Sequence, residues 1–291
     1  MKKKIRIGSR DSKLAVIQAE IIGNGILQAH QEYEVELITM KTTGDKILDR
    51  SLDKIGGKGL FVKELDKALL EGRVDICVHS LKDLPMEISP EIPLVGFSRR
   101  EDPRDVLLLK NGAKETIGSG IIGTSSNRRK IQLRKLYPEA TFKGIRGNVQ
   151  TRLKKLEEED YTATVLARAG LVRLGMEHVI KRTFSVEEMI PAAGQGILVV
   201  QGRRGEDYSY LEEIQSQTSA YMARAERAFV AGLDGGCSSP IAAYASVQGN
   251  EMKLRGLYAV DGESEYRTGE IIGSVEQAQK LGEQLARELS K

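Results

Sequence analysis

Apolar and polar positions change period several times along the first eighty-five residues. Ile5–Gly8 reads as a short strand, and Glu34–Met40 alternates as a half-buried strand does. Between them, Ser12 offers a cap for a helix carrying Leu14, Ile17, Ile21 and Ile22 on one face. Thr42–Gly59 is long and polar, with Gly44, Gly56 and Gly57 before Gly59, which predicts a lid or mobile loop. Phe61–Leu70 returns to helical spacing and stops at Gly72. Val74–Val78 is an apolar strand, and His79 to Pro85 are expected just past its C-terminal end.

The second segment repeats this style. Ile121–Thr124 is a strand that runs into Ser125-Ser126-Asn127-Arg128-Arg129 and a helix to Tyr137. Thr141–Ile145 is a strand followed by the Arg146-Gly147-Asn148 turn and a helix through Glu158. Thr164–Ala167 is another, with a short helix from Gly170. Strands alternating with helices predict α/β units with largely parallel pairing. In such sheets ligands bind beyond the C-terminal strand ends. Residues 217–233 are helical. Three strands follow (241–248, 251–260 and 265–272), and a helix over 275–289 completes a small α+β unit.

Composition narrows the class. The 291 residues are 40% hydrophobic and 29% charged, with room for two or three domains. A net charge of only +3 and 5% aromatics speak against a nucleic-acid surface. Two cysteines predict a reducing compartment, hence the cytoplasm, and no apolar run approaches a membrane span. The histidines at 30, 79 and 178 show no metal-ligand spacing, so no metal site is expected.

Against this near-neutral total, arginines cluster at expected strand ends: Arg10 with Ser12, Arg128 and Arg129 after Thr124 and Ser126, Arg146 and Arg152 around Asn148, and 168–182. Guanidinium forks match carboxylates two bonds at a time. Repeated forks therefore predict a ligand with many carboxylates or phosphates. Asp83, beside Lys82, is the acidic exception: a general acid, a counter-ion for a developing cation, or an ordinary turn residue. His79 either orients that turn or simply packs. Cys237 lies behind Gly235 and Gly236 and ahead of Pro240, a loop thiol open to covalent chemistry or to no role at all. Cys77, in an apolar run, reads as a core thiol.

Taken together these stretches resemble one family. Gly8-Ser9-Arg10-x-Ser12, Gly56-Gly57-Lys58-Gly59-Leu60-Phe61, His79-Ser80-x-Lys82-Asp83-x-Pro85, Arg100-Glu101-Asp102-Pro103-Arg104-Asp105 and Gly123-Thr124-Ser125-Ser126-x-Arg128-Arg129 look like porphobilinogen deaminase motifs. So do Arg146-Gly147-Asn148-Val149-x-Thr151-Arg152, Ala169-Gly170-Leu171-x-Arg173, Pro191-Ala192-x-Gly194-Gln195-Gly196 and Gly235-Gly236-Cys237-x-x-Pro240. They follow the family's order from residue 5 to about 245.

The resemblance implies two α/β domains like the halves of a type II periplasmic binding protein, plus a small α+β C-terminal domain. The expected boundaries are 1–97 with 197–215, 98–196, and 216–291. It implies a dipyrromethane cofactor joined by a thioether to Cys237, and head-to-tail condensation of four porphobilinogen molecules with loss of ammonia. Asp83 would be catalytic, stabilising the azafulvenium-type cation. Arg10, Ser12, Lys82, Thr124, Ser126, Arg128, Arg129, Arg146, Asn148, Arg152 and Arg173 would hold carboxylates, and Lys58 and Phe61 would belong to a closing loop. A cytoplasmic monomer without nucleic-acid or membrane partners is expected. A non-catalytic solute-binding module for a polycarboxylate is the alternative. Three positions depart from the family pattern: Asn127, Ser239 and Arg168, the last either a further carboxylate ligand or a solvent-facing charge.

Overall fold

The computed structural model describes residues 2–46, 62–113, 117–235, 239–260 and 265–291. Its chain divides into two compact units, Met1–Arg100 with Ile197–Ala220, and Glu101–Gly196 with Tyr221–Lys291.

The first unit is a five-stranded sheet in the order β2-β1-β3-β10-β4. Its strands are β1 (Lys3–Arg10), β2 (Tyr33–Met40), β3 (Ile76–Ser80), β4 (Leu94–Phe97) and β10 (Leu198–Gly202). β1 runs parallel to β2 and to β3, with Gly8 opposite Cys77, whereas β10 is antiparallel to β3 and β4. Helix α1 (Lys13–Ala29) begins where Ser12 Oγ accepts from the Ala15 amide at 3.4 Å, the cap its sequence predicts. Its buried stripe, Ala19, Ile22 and Ile26, seals one sheet face with Ile5, Ile7, Ile76 and Val200. On the other face Leu65, Ala68 and Leu69 of the helix Lys63–Leu70 pack with Val74, Cys77 and Ile92. Cys77 is buried there, and a Cβ on Gly8 would come within 2.7 Å of its Sγ, so only glycine lets the strands pair at this level.

In the second unit, β5 (Asp105–Leu109), β6 (Ile121–Gly123), β7 (Thr141–Lys143), β8 (Ala163–Ala167) and β9 (Arg182–Thr183) form a sheet ordered β7-β6-β8-β5-β9. Here too four strands run one way and the fifth, β5, is antiparallel to both of its neighbours, so parallel and antiparallel pairings are equal in number. The two sheets share one pattern, permuted in the chain: the antiparallel strand is the last to arrive in the first sheet and the first in the second. This corrects the expectation of largely parallel pairing. The α/β class with a small α+β C-terminal domain is the observed one.

That C-terminal domain is an antiparallel meander of β11 (Ile241–Gln248), β12 (Glu251–Tyr258) and β13 (Arg267–Ser274). The helices Gln217–Ala231 and Ala278–Leu289 cover it. Ala242, Leu257 and Ala259 of this domain share a core with Ile131 and Ile190.

Candidate active site

Strand direction gathers the basic side chains within each unit. In the first, β1 and β3 are parallel, so Arg10 at the end of β1 and Lys82-Asp83 just beyond β3 share the C-terminal edge of the sheet. Ser80 closes β3, so His79 and Ser80 belong to the strand and not to the segment past it. The Leu81–Asp83 turn is anchored by buried Leu81 and Leu84, and by the Leu81 amide donating to Ile197 O at 3.0 Å. Between these anchors Asp83 is exposed and Lys82 half-buried.

His79 is enclosed. Burial lowers its pKa to about 4, nearby Arg10 adds to the shift, and the Gln201 side chain opposes it only in part. Among the described residues Nε2 makes no hydrogen bond of normal geometry. An unfolded chain takes up this proton near pH 6.5, the native one near pH 4. The stability His79 confers as a neutral group is therefore complete above about pH 6.5 and drains away as pH falls toward 4, by up to ~3 kcal/mol. Urea midpoints at pH 7 and pH 5 should differ accordingly, and His79→Gln should flatten that slope. An unchanged slope in His79→Gln would place the proton uptake elsewhere.

In the second unit β6, β7 and β8 are parallel, and each feeds a basic segment at the same edge. After β6, Thr124 Oγ1 accepts from the Ser126 amide (3.2 Å), and Ser126 Oγ caps the helix Asn127–Leu136 by accepting from the Arg129 amide (3.4 Å). After β7, Asn148 Oδ1 caps the helix Val149–Glu158, accepting from the amide and hydroxyl of Thr151, both at 2.9 Å. Gly147 precedes it at φ +115°, where a Cβ would lie 2.5 Å from Thr151 Cγ2. Arg152 Nε donates to Gly147 O at 2.8 Å, and Arg146 stands half-buried at the turn. Beyond β8, Arg173 Nη2 donates to Gly196 O at 2.6 Å. Burial lowers the Arg173 pKa to about 10, opposed by Glu101, so it stays a cation near neutrality. Thr124, Ser126 and Asn148 thus spend side-chain acceptors on caps and turns that set the arginines in place.

Arg128 and Arg129 are not surface forks. Each is only 5–6% exposed, and both pair with Asp105, which is 0% exposed at the start of β5. Arg128 Nη1 lies 2.8 Å from Asp105 Oδ2, and Arg129 Nη2 2.8 Å from Oδ1. The other contacts are to carbonyls: Arg128 Nη1 to Ile190 O (2.8 Å) and Arg129 Nη1 to Val165 O (2.9 Å). Gln195 Nε2 donates to Asp105 Oδ1 (3.0 Å) and Pro103 O (2.6 Å). Burial alone would raise the Asp105 pKa; the two guanidiniums overcome it and hold the carboxyl far below its ordinary range. Two cations against one anion leave the cluster net positive. Among the described residues the buried Arg129 Nε–H meets no acceptor.

Sequence reasoning gave Asp105 and Gln195 no role, although both stand in quoted motifs. An acid opening the apolar run Asp-Val-Leu-Leu-Leu was the available signal. Arg168, for which a ligand carboxylate or solvent was expected, pairs with the protein's own Asp102 (3.0 Å) and Glu177 (3.5 Å). Lys58, Phe61, Cys237 and nearly all of the Thr42–Gly59 loop lie outside the described residues. Among the described residues no helix is long and apolar enough to cross a membrane, and no cluster of His, Cys, Asp and Glu is placed to hold a metal.

A family model described as porphobilinogen deaminase, dipyromethane cofactor binding domain, matches residues 5–210, and one for the porphobilinogen deaminase C-terminal domain matches 220–291. The porphobilinogen deaminase of Acetivibrio thermocellus is 54% identical over 288 residues, covering 99% of this chain and 98% of that protein. That of Ruminiclostridium josui is 53% identical over 287 residues, with coverage of 99% and 98%. Among solved structures, the BenM effector binding domain with its effector benzoate shares 16% identity at a TM-score of 0.43, over 74% of this chain and 89% of that one. With two family models spanning nearly all of its length and relatives sharing more than half of its residues, the chain belongs to the porphobilinogen deaminase family.

Proposed function

We propose that this enzyme is a transferase that joins porphobilinogen molecules head to tail on a dipyrromethane held by a thioether to Cys237. Ammonia leaves at each addition, and after four a water molecule supplies the hydroxyl as the bond to the primer breaks and a linear hydroxymethylbilane is released. The observation that carries the reading is the net-positive Arg128–Arg129–Asp105 cluster, set on the same strand-end edge as Arg146, Arg152 and Arg173. Every pyrrole unit of such a chain bears an acetate and a propionate, so the ligand grows in carboxylates as the reaction proceeds.

The donor set fits the cofactor. Arg129 has one buried N–H that meets no acceptor among the described residues, and a ligand carboxylate is the group that would complete it. Arg128, Arg129, Arg146, Arg152 and Arg173 would hold acidic side chains, as would Arg10, Ser12 and Lys82, with Thr124, Ser126 and Asn148 fixing the turns. When bound, the dipyrromethane supplies the pyrrole carbon that the first substrate unit joins. Asp83 presents its carboxylate on a rigid turn, where it stabilises the cation left as ammonia departs and accepts pyrrole N–H bonds. Cys237 keeps the growing end at high effective concentration.

The domain boundaries 1–97 with 197–215, 98–196 and 216–291, a monomeric state and a cytoplasmic location complete the proposal. A pure solute-binding module would have no use for a family-specific C-terminal domain over 220–291.

Intact-protein mass spectrometry tests the reading. Protein made in cells that supply the pyrrole precursor should carry an added mass equal to two linked pyrrole units. Cys237→Ser should fold and carry none. Full loading of the serine variant, or no added mass on the wild type, defeats the assignment.

A further inference from the structure

We propose that Glu226 is a positioning residue for the reaction, one that clips the segments flanking Cys237 to the loop that braces the arginine cluster. The proposal rests on the reading of Cys237 and of the arginines given above. Glu226 is 0% exposed, on the helix Gln217–Ala231. Its two carboxylate oxygens take different backbone amides. Oε2 accepts from the Gly194 N–H at 2.6 Å and Oε1 from the Ala245 N–H, in β11, at 2.7 Å. A buried carboxylate is costly unless its oxygens are bonded, and charge-assisted bonds of this length are among the stronger ones.

Each end of the clip leads to the site. The helix bearing Glu226 runs into the turn Leu233–Gly235, closed by the Gly235 amide donating to Val230 O (3.0 Å), and residues 236–238 follow in sequence. β11 begins at Ile241, directly after them. Glu226 therefore ties together the helix before Cys237 and the strand after it. Its other partner, Gly194, adjoins Gln195, which holds Asp105 and Pro103, and Gly196, whose carbonyl receives Arg173. At the head of the same loop, Ile190 O receives Arg128 and Gln132 Nε2, and Pro191 O receives the Ala243 amide. One carboxylate thus links the frame of the cysteine to the frame of the guanidiniums. Its removal would loosen a distance that the chemistry needs held, and displacements of about 1 Å in such settings cost up to 10²-fold in rate.

Glu226→Gln keeps the size but can accept from only one of the two amides. Full-length wild type, Glu226→Gln and Leu254→Ala would be made in cells lacking the pyrrole precursor. Leu254 is buried in the C-terminal domain and serves as a control for lost stability alone. Each protein is then given porphobilinogen, and the growth of the cofactor mass is followed by intact mass spectrometry beside kcat and KM. Glu226→Gln should gain the mass, and turn over once loaded, at least tenfold more slowly than wild type, with KM changed less than threefold. Leu254→Ala, folded at the assay temperature, should load at the wild-type rate. Glu226→Asp, which keeps the charge on a shorter arm, should behave as Glu226→Gln does. Either variant, folded yet loading as fast as the control, overturns the proposal. Failure of both to fold would make Glu226 a purely structural residue and overturn it too. Wild type that gains no mass would sink the underlying reading and this one with it, whereas a loading wild type beside an equally fast variant sinks this one alone.

Discussion

Asp83→Asn is expected to lower steady-state turnover of porphobilinogen by about 10²–10³-fold while leaving the fold intact. The two parts of this result have separate causes. Asp83 is exposed, on a turn held by buried Leu81 and Leu84 and by the bond from the Leu81 amide to Ile197 O. Asparagine has the same shape, so that turn loses nothing, and surface changes of this kind stay within ~0.5 kcal/mol. The chemistry loses more. A neutral amide cannot balance the positive charge that develops as ammonia leaves, and a preorganised charge is worth most where the barrier is highest. Steady-state rates beside urea midpoints for wild type and variant check both halves. A variant that turns over at a near-normal rate would remove Asp83 from the mechanism.

Asp105→Asn should have the largest effect on stability. Its carboxylate is the shared partner of Arg128, Arg129 and Gln195, all buried. Asparagine would leave two enclosed guanidiniums without their counter-charge. Breaking a buried pair from one side costs ~3–5 kcal/mol, which corresponds to a fall in Tm of roughly 10 °C for a chain of this size. The sign with pH follows from the depressed pKa. The Asp105 contribution is fully present above the unfolded value near pH 4 and is lost only as pH falls below it toward the folded value. The difference between wild type and Asp105→Asn should therefore be flat from about pH 5 to 8 and shrink in stronger acid. This acid loss is distinct from that of His79, which sets in already below about pH 6.5. Thermal melts at pH 7 and pH 3 measure it. A variant within ~1 kcal/mol of wild type at pH 7 would show that the arginines find their neutralisation elsewhere. Cofactor loading of the surviving folded protein should also fall, because the guanidiniums that Asp105 aims are those proposed to meet the ligand.

Much of the fold was legible locally. Ser12, Ser126 and Asn148 announce helix starts because a side-chain oxygen near a free helical N–H is a short-range bond that needs no distant partner. The buried stripe of α1 and the three-strand meander follow from periodicity, which reports which face must leave water. The placing of basic segments after strands was likewise readable, and with it the edge of each sheet where a ligand belongs.

The antiparallel entries of β5 and β10 were not legible. Nothing within either strand marks its direction, since pairing is settled by neighbours as remote as β3 for β10. The fate of the arginines hung on this. Sequence alone treated Arg128 and Arg129 as forks awaiting a ligand, because an arginine beside a helix start looks the same whether or not an acid lies beneath it. Chain order therefore determined the elements of this protein, their caps and the kinds of side chain at each strand end. Tertiary structure decided that Asp105, brought in on the reversed strand β5, neutralises part of that charge, that Arg168 is spent on Asp102 and Glu177, and that Glu226 joins two amides lying far apart in the chain. The reason is range: caps and periodic faces depend on neighbours a few residues away, whereas a buried charge is defined by whichever partner the closed sheet delivers to it.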